Sequence, residues 1–483
     1  MSLQRNGFGI RRVAAIAALL ALAFLGVPAR ATLQLNLSTT NIAPSQVYIL
    51  FQGNQAKFSA SYVDATSQQT VQMSLNTHGL SPSIELSSIQ GGVITVTEFV
   101  SGVIYASIGG PLGTTAAPSP TNSGDPGYNI PWQSVAEITY SGAPADSGDI
   151  TAIQFFALTS GVQVLGGSKV LQTGGFTVPG ATLLNQIAAL SSTPSVDVIK
   201  STKGNNVGQI VRVLAPNQFG GATDSKGTKY YAIGGFPSFQ AYVQSQYQAG
   251  ATAQIKGSIN GSTYIFTVTA DSAGDLIATG SYGTGATYTI TVPADAPLTD
   301  GSGLTNYVQS WTIYSCTNGA VVVTSSDGST INASVLTQVM HDLASGYNFG
   351  FVNSPTIDPV THVAFGTETS NLWFKDATPA TLYAGLQPVH PYYNQYSALI
   401  SGASNGTVYG FPYADAVPGV TLDTVVVTGS PSQNVTAWNI IIGDPPTSTD
   451  TPVMPPLALV VLAVGLGGVA ALSFRRANAS LGQ

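Results

Sequence analysis

Short runs of β-branched and aromatic residues recur along most of this 483-residue chain, and clusters of Gly, Pro, Ser and Asn separate them. Such runs, bounded by turn-forming residues, are typical of the strands of an all-β sandwich or barrel. With 44% hydrophobic residues, 21 Tyr and 18 Phe, the chain also has ample apolar material for a packed core. The strands predicted in the first half are Val47–Phe51, Lys57–Val63, Gly92–Val100, Val103–Ile108, Val135–Tyr140, Ala152–Leu158 and Val162–Leu165.

The middle of the chain has a different pattern. Phe239, Val243 and Tyr247 are spaced four apart, which predicts a helix over 237–247. A second helix is predicted from the N-cap Asn332 to Ser345, with Gly346 as its stop. Predicted strands lie between these helices at Thr252–Ser258, Ser262–Thr269 and Thr287–Val292.

These patterns predict a mainly β protein into which an α+β subdomain is inserted. The β framework covers residues 32–205 and 366–450, and the insert covers about 206–365. The framework resumes with predicted strands at Thr407–Tyr413 and Asn439–Ile442.

Both ends of the chain have the composition of processing or anchoring segments. Arginines, an apolar run and an A-x-A-like site ending at Ala31 predict a signal peptide over residues 1–31. At the other end, residues 451–483 contain a Pro-rich motif, the uncharged stretch Leu457–Phe474 and then Arg475-Arg476. This arrangement resembles the C-terminal sorting signals of Gram-negative bacteria (PEP-CTERM-like), which exosortase-type or rhomboid-like proteases read. A plain single-pass membrane anchor is the alternative. Either interpretation predicts that the body lies outside the cytoplasm, at the cell surface or beyond it.

Charge and cysteine content restrict the partners. Residues 32–450 hold all 22 acidic residues and nine of the 15 basic ones, a net charge of −13. Nucleic acid and anionic lipid are therefore poor partners, whereas a neutral polymer is compatible with this surface. The lone cysteine, Cys316, excludes an intrachain disulfide, and the four histidines show no metal-ligand spacing, so neither a metal nor a cofactor is predicted.

One stretch, from Ser101 to Phe156, holds the strongest candidate for catalysis. Glu137 is one of only four glutamates and lies inside an alternating apolar strand. A carboxylate in such a place is costly unless a substrate or a partner uses it. The alternative to a functional role is an ion pair with Lys169 or Arg212 inside the β domain.

Several blocks occur in a fixed order along the chain: Pro44–Gly53, Ser101–Leu112, Asn129–Thr139, Arg212–Pro216 with Pro237–Val243, Tyr393–Ile400 and Gly406–Asp415. Together these blocks resemble glycoside hydrolase family 64, the β-1,3-glucanases with a thaumatin-like fold. The second block has Val103 where the family has arginine, and the last reads F-P-Y-A-D where F-P-Y-D-D is usual. The resemblance implies a thaumatin-like β domain with a wide sugar groove.

The resemblance also implies an inverting mechanism that uses a Glu and an Asp on neighbouring strands. Glu137 falls on the family's Glu, and Gln154 falls on its Asp. Glutamine does not titrate and cannot act as a general base. Asp149 is the candidate replacement, but its odd spacing from Gln154 requires a bulge or a slip in the strand. Asp146 is a second, weaker candidate.

Other residues of the matched blocks are candidate substrate contacts. Trp132, Tyr393 and Tyr413 are expected to stack on sugar rings unless they belong to the core. Asp415 is expected to bind sugar hydroxyls or to cap a turn, and Thr139 and Asn394 lie beside these groups in the matched blocks.

Three functions follow as alternatives. The first is a secreted, surface-anchored, monomeric β-1,3-glucanase that attacks laminarin-type or curdlan-type polysaccharide internally, with Glu137 as the acid. The second is a glucan-binding or extracellular-matrix protein in which Gln154 has ended catalysis. The third is a structural surface protein, which would require a filled groove.

Overall fold

The computed structural model describes residues 32–445, apart from 205–206, 284, 385–392 and 418–420. The predicted signal peptide and C-terminal segment lie outside the described residues. Within the described residues, none of the helices is both long and apolar enough to span a membrane.

Strands dominate the structure, which confirms the predicted mainly β class and its barrel-like framework. In chain order the strands are β1 (Leu33–Thr40), β2 (Val47–Gln52), β3 (Phe58–Asp64), β4 (Thr70–Met73), β5 (Ile84–Glu85), β6 (Ile89–Ile108), β7 (Trp132–Tyr140), β8 (Ser147–Asp149), β9 (Phe155–Phe156), β10 (Ser160–Gly166), β11 (Lys169–Gly175), β12 (Val198–Lys200), β13 (Ile210–Leu214), β14 (Ala222–Thr223), β15 (Lys229–Tyr230), β16 (Ala253–Ile259), β17 (Ser262–Ala270), β18 (Leu276–Tyr282), β19 (Thr287–Val292), β20 (Ala296–Pro297), β21 (Thr305–Asn306), β22 (Val322–Ser325), β23 (Leu422–Asp423), β24 (Val426–Val427), β25 (Ser430–Asn434) and β26 (Ala437–Gly443).

The helices are fewer and lie mostly in the second half of the chain. They are α1 (Gly180–Ala188), α2 (Pro194–Asp197), α3 (Gln240–Ala249), α4 (Val308–Ser315), α5 (Ala333–Phe349), α6 (Ser370–Asp376) and α7 (Gln395–Ala403). Short 3₁₀ turns occur at Pro44–Gln46, Gln55–Lys57, Leu86–Ser88, Pro216–Phe219, Phe365–Thr367 and Ala414–Ala416.

The largest sheet has twelve strands, and its main path runs β11-β10-β26-β1-β6-β7-β8-β23. Strands β2 and β3 also pair with β6, and β5 and β4 extend these pairings. Strand β26 pairs in parallel with β1, so residues from the two ends of the described chain lie side by side. Apolar side chains from successive strands alternate into one core that includes Leu35, Ile94 and Trp438.

A second sheet of five antiparallel strands, β16-β17-β18-β19-β22, lies within residues 253–325. Helices α5 and α6 pack against β16, and α3 packs against β17. The Asp342 carboxylate accepts hydrogen bonds from Tyr264 in β17 and Ser370 in α6, which ties the helices to this sheet. All described residues belong to one compact unit, so the framework and insert boundaries stay predictions.

Several predicted element boundaries were wrong. The strands predicted on either side of Ser101 form the single strand β6, because Ser101 adopts a positive φ of 52° within a bulge instead of a turn. Helix α5 passes through Gly346 and ends at the left-handed Gly350. The predicted N-cap Asn332 is confirmed, since its side chain accepts a hydrogen bond from the Ser334 amide.

The strands predicted at Ala152–Leu158 and Thr407–Tyr413 form only in part. The first contributes Phe155–Phe156, and the second contributes the bridge between Tyr409 and Thr151.

Gly102 in β6 is predicted to tolerate no side chain. A Cβ at this position would lie 2.1 Å from ring atoms of Phe99, which is fully buried among aromatic rings. We expect Gly102→Ala to lower the free energy of unfolding by about 1–3 kcal/mol, measured by urea denaturation. Gly319→Ala is the control, because a Cβ there meets no atom within 4 Å. Equal losses in the two variants would show that the clash with Phe99 is not what excludes a side chain from position 102.

Candidate active site

The candidate site is built where β6, β7 and β8 run side by side. Glu137 in β7 pairs with Val103 on one side and with Asp149 in β8 on the other. Directly opposite residues of antiparallel strands project from the same face of the sheet, with Cβ atoms about 5 Å apart. Gly148 permits the close approach of β8, since a Cβ there would lie 2.2 Å from the Glu137 carbonyl oxygen. The two carboxyl groups therefore enter the same cleft.

A β-bulge directs the neighbouring side chains of β7. The register between β6 and β7 shifts at Ile104 and Tyr105, which leaves Val135 as the extra residue. Ser134 and Glu137, three residues apart, consequently line one pocket of about 400 Å³. The pocket is also lined by Gln52, Gly53, His78, Ser101, Val103, Tyr105, Gln133, Thr151, Ile153, Gln154 and Phe155. A second cleft of about 340 Å³ contains Asp149, Thr139 and Ser101 and shares Glu137 with the first.

Glu137 has no cationic partner within the described part of the chain. The Arg212 guanidinium instead donates hydrogen bonds to the carbonyl oxygens of residues 120, 127, 128 and 130, and Lys169 is exposed on β11. Burial raises the pKa of Glu137 above its ordinary value. A partly buried carboxylate without an ion pair is the kind of group that a binding or catalytic site uses.

Asp149 is the most strongly perturbed acid of the cleft. Burial, followed by the charges of Glu137 and Asp415, raises its pKa to about 8. Its Oδ1 atom is inaccessible and has no hydrogen-bond partner among the described residues. The Asp149 carboxyl group is therefore protonated near neutral pH.

The chain breaks its strand between Asp149 and Gln154. Strand β8 ends at Asp149, and β9 begins at Phe155 in a different sheet, so the alternation rule does not connect the two positions. The buried Gln133 side chain holds this irregular segment by donating to the Thr151 and Phe155 carbonyls and accepting from the Ala157 amide. Gln154 is exposed and lines the pocket that contains Glu137. Glu137 therefore shares the pocket of about 400 Å³ with Gln154 and the cleft of about 340 Å³ with Asp149.

Asp146 does not belong to the site. Its carboxylate accepts hydrogen bonds from the amides of Ser141 and Ala143 and from the Ser141 hydroxyl, so it closes the β7–β8 turn. Because these hydrogen bonds hold its carboxylate in the turn, the prediction that Asp146 replaces the second acid is corrected.

Trp132 is in the core and not on the groove surface. It is 1% exposed, and the rings of Tyr105 and Phe155 contact it edge to face. The Arg212 guanidinium lies 5.2 Å from its ring centroid. Because both sides of the indole are covered, the prediction that Trp132 stacks on a sugar ring is corrected.

Thr139 and Asp415 lie beside the carboxyl pair or near it, whereas the ring of Tyr413 lies against His341. Thr139 lines the cleft of Asp149, and its hydroxyl accepts a hydrogen bond from the Ser101 amide. Asp415 is close enough for its charge to raise the pKa of Asp149, and burial raises its own pKa. Tyr413 is 38% exposed, with its ring centroid 3.5 Å from that of His341.

Asn394 and Tyr393 lie at the start of α7. Asn394 is 1% exposed; it caps the helix by accepting from the Ser397 amide and donates to Asn348. Its predicted contact with substrate is corrected to this structural role. Tyr393 is half-buried against Tyr383 and retains partial exposure.

Comparison with known proteins decides the family. The family model described as β-1,3-glucanase, glycoside hydrolase family 64, matches residues 31–437. The chain belongs to glycoside hydrolase family 64. The resemblance found in the sequence blocks is therefore confirmed, and family membership makes this chain a glycoside hydrolase.

Two solved structures of this family are similar to the chain. A β-1,3-glucanase domain from Clostridium beijerinckii is 16% identical, covers 86% of this chain and 98% of its own, and gives a TM-score of 0.46. A laminaripentaose-producing β-1,3-glucanase from Paenibacillus barengoltzii is 14% identical, with 86% and 76% covered and a TM-score of 0.41. No curated protein matches the chain.

Two tyrosines near Glu137 and Asp149 were not predicted from the sequence. Tyr105 donates its hydroxyl proton to Gln52 and lies close enough to Glu137 for that charge to raise its pKa, after burial. The pKa of Tyr409 is raised by burial and then by Asp149, Asp415 and Glu137. Strand alternation could have identified Tyr105, because it is two residues from Val103 and therefore lies on the same face of the strand. No local pattern could have identified Tyr409, because it comes from a distant segment of the chain.

As its side chains stand, the described part of the chain contains no group of three or more His, Cys, Asp or Glu residues arranged to hold a metal ion.

The raised pKa of Asp149 predicts a pH-dependent effect on stability. Folding favours its protonated form, so the stability associated with Asp149 is complete below its unfolded pKa and falls as pH rises towards 8. We expect Asp149→Asn to raise the free energy of unfolding by on the order of 2 kcal/mol at pH 7 and to give no gain near pH 4. Urea denaturation at both pH values tests this. Asp64→Asn, at a partly exposed acid whose pKa is lowered, should give no gain at pH 7. An equal effect of Asp149→Asn at both pH values would contradict the prediction.

Proposed function

We propose that the protein hydrolyses β-1,3-glucan with Glu137 and Asp149 as its catalytic pair. The observation that supports this most directly is their cross-strand pairing in a shared cleft, with Asp149 protonated near neutral pH. Glycoside hydrolysis requires two carboxyl groups on either side of the scissile bond, one that donates a proton and one that accepts one or attacks.

The electrostatics favour a division of roles that differs from the sequence-based prediction of Glu137 as the acid. Asp149, with a pKa of about 8, is the general acid that protonates the departing glycosidic oxygen. Glu137 is the general base that takes a proton from the attacking water. An inverting mechanism needs about 6.5–9.5 Å between the carboxyl groups. Because the Cβ atoms of directly opposite residues are about 5 Å apart, the side chains of Glu137 and Asp149 have to point away from each other to reach that separation.

The groups around the pair suit a neutral polysaccharide. Thr139 and Asp415 offer hydroxyl and carboxyl contacts near the acids, and Gln154 offers an amide that binds sugar hydroxyls or water. Tyr413, two residues before Asp415 in the sequence, offers an exposed aromatic ring. We infer that the substrate is a β-1,3-glucan of the laminarin or curdlan type, and that attack is internal because the cleft is open at the surface.

Sequence features outside the described residues support a location for this activity. We propose that residues 1–31 direct export and are removed, and that residues 451–483 act as a sorting signal or membrane anchor through Leu457–Phe474. The proposed protein is a monomer at the cell surface or outside the cell, and its net negative body does not bind nucleic acid.

One observation favours a second function, glucan binding without hydrolysis. Gln154 is exposed in the same pocket as Glu137, at the position that the family resemblance assigns to the second acid. If only that position supports catalysis, the cleft retains its sugar contacts but lacks the second titrating group.

Hydrolysis of laminarin by the purified full-length protein tests the proposed pair. We expect Glu137→Gln and Asp149→Asn each to reduce kcat by about 10²–10⁴-fold, because each removes a proton-transfer group from the transition state. Release of reducing ends is the measurement. Glu85→Gln is the matched control on β5, outside the clefts described above, and should retain full activity.

The variant Gln154→Asp separates the two functions. If Glu137 and Asp149 are the pair, this change adds a third charge and does not raise activity. A wild-type protein that is retained on insoluble curdlan without releasing sugar, and a Gln154→Asp variant that gains hydrolysis, would overturn the proposed pair and establish the binding protein.

A further inference from the structure

A tight loop on the wall of the pocket of about 400 Å³ presents a histidine to the same pocket as Glu137. The loop covers residues 76–80, and its exposed residue His78 lines the pocket together with Glu137, Gln52 and Gln154. No described residue hydrogen-bonds to the imidazole of His78, so the loop holds this side chain at the pocket without using it.

The side chain of Asn76 fixes the backbone of this loop. Its Oδ1 atom accepts hydrogen bonds from the amides of His78 and Leu80, at 2.9 and 3.1 Å. Its Nδ2 atom donates to the Thr114 carbonyl at 2.7 Å. The Asn76 amide donates to the Leu80 carbonyl, and the Gly79 amide donates to the Asn76 carbonyl. The turn is therefore closed without any contribution from the imidazole of His78.

The same loop is attached to the end of β2. Leu80 forms an antiparallel bridge with Gln52, and the Gly53 amide donates to the Gly79 carbonyl at 2.9 Å. Gly79 has a φ of 73°, and a Cβ there would lie 2.6 Å from the Gly53 carbonyl oxygen. Leu80 is fully buried. The backbone of His78 is therefore held in place relative to Gln52 and to the pocket.

Gln52 presents a second polar group to the pocket. The Tyr105 hydroxyl donates to Oε1 of Gln52 at 2.8 Å, which engages the oxygen of this amide. The amide nitrogen carries two N–H donors and has no acceptor among the described residues. Because Gln52 lines the pocket and its oxygen is held by Tyr105, its N–H groups are available to a ligand there.

The pocket has the size and chemistry of a site for a small neutral ligand. Its volume of about 400 Å³ lies within the range of about 300–1,000 Å³ that is usual for ligand pockets. A neutral imidazole has one N–H donor and one nitrogen acceptor, and each sugar hydroxyl both donates and accepts. Since the backbone of His78 is already fixed, binding needs to order only its side chain, which limits the entropic cost.

We propose that His78 and Gln52 bind a glucosyl unit of the substrate beside Glu137, and that His78 is a specificity-determining residue. The inference rests on the proposed function, because it places this unit next to the bond that Glu137 and Asp149 cleave. The imidazole and the Gln52 amide hydrogen-bond to the hydroxyl groups of the unit. A site that binds a hydroxyl in this way rejects a sugar that lacks it, because the polar groups of the site would be left unpaired.

Hydrolysis of laminarin by the purified full-length protein tests the role of His78. We expect His78→Ala to raise KM about 3–10-fold and to change kcat less than about twofold, because the lost hydrogen bond is made equally in the ground state and the transition state. His78→Gln keeps a donor and an acceptor and should recover most of the loss. Thr77→Ala is the control, since Thr77 is exposed in the same loop but does not line the pocket, and it should keep the wild-type KM.

Binding measured without turnover separates this inference from catalysis. Calorimetric titration of laminaripentaose into Glu137→Gln and into Glu137→Gln/His78→Ala should give a Kd that is about 3–10-fold weaker in the double variant.

If the wild type cleaves laminarin but His78→Ala changes neither KM nor Kd, or Thr77→Ala raises KM equally, the inference about His78 is overturned and the proposed function stands. If the wild type releases no sugar, the proposed catalysis fails. In that case a weaker Kd in the double variant still supports the binding role of His78, and an unchanged Kd overturns it.

Discussion

Strand β6 runs for 20 residues and hydrogen-bonds to β1, β2, β3 and β7, so its register sets the position of most of the barrel-like sheet. A slip of one residue in such a strand would exchange its core-facing and groove-facing side chains. Two bulges opposite β7 adjust that register, and the second places Ser134 and Glu137 on the same pocket wall. The site therefore depends on the pairing of β6 with β7. Gly102 permits this pairing, because a larger residue there would clash with the ring of Phe99.

The pairing of β7 with β8 places two carboxyl groups side by side, which is energetically unfavourable. Gly148 lets β8 approach β7, and the approach brings Asp149 beside Glu137 in a partly dehydrated cleft. Burial and like charge then separate the proton affinities of the two acids, which is how one site holds both a proton donor and a proton acceptor.

Local sequence signals predicted the parts of the fold that depend on neighbouring residues. Alternation identified the strand of Glu137, and spacing by four with the Asn332 cap identified two helices. Sequence could not show that the strand breaks after Asp149, since that break is fixed by the distant Gln133 side chain. Sequence also could not show that Trp132 lies in the core and that Asn394 caps a helix, whereas Tyr413 is exposed. Burial depends on tertiary neighbours, which the local sequence does not contain.

The coupling of Asp149 to Glu137 is tested most directly by a titration of the Asp149 carboxyl by NMR, with ¹³C-labelled aspartate and Asp149→Asn to assign the signal. We expect a titration midpoint near 8 in the wild-type protein. We also expect a lower midpoint in Glu137→Gln, where burial remains but the neighbouring charge is gone. A midpoint near the ordinary value of 3.8 that Glu137→Gln leaves unchanged would show that the two carboxyl groups do not act as a pair.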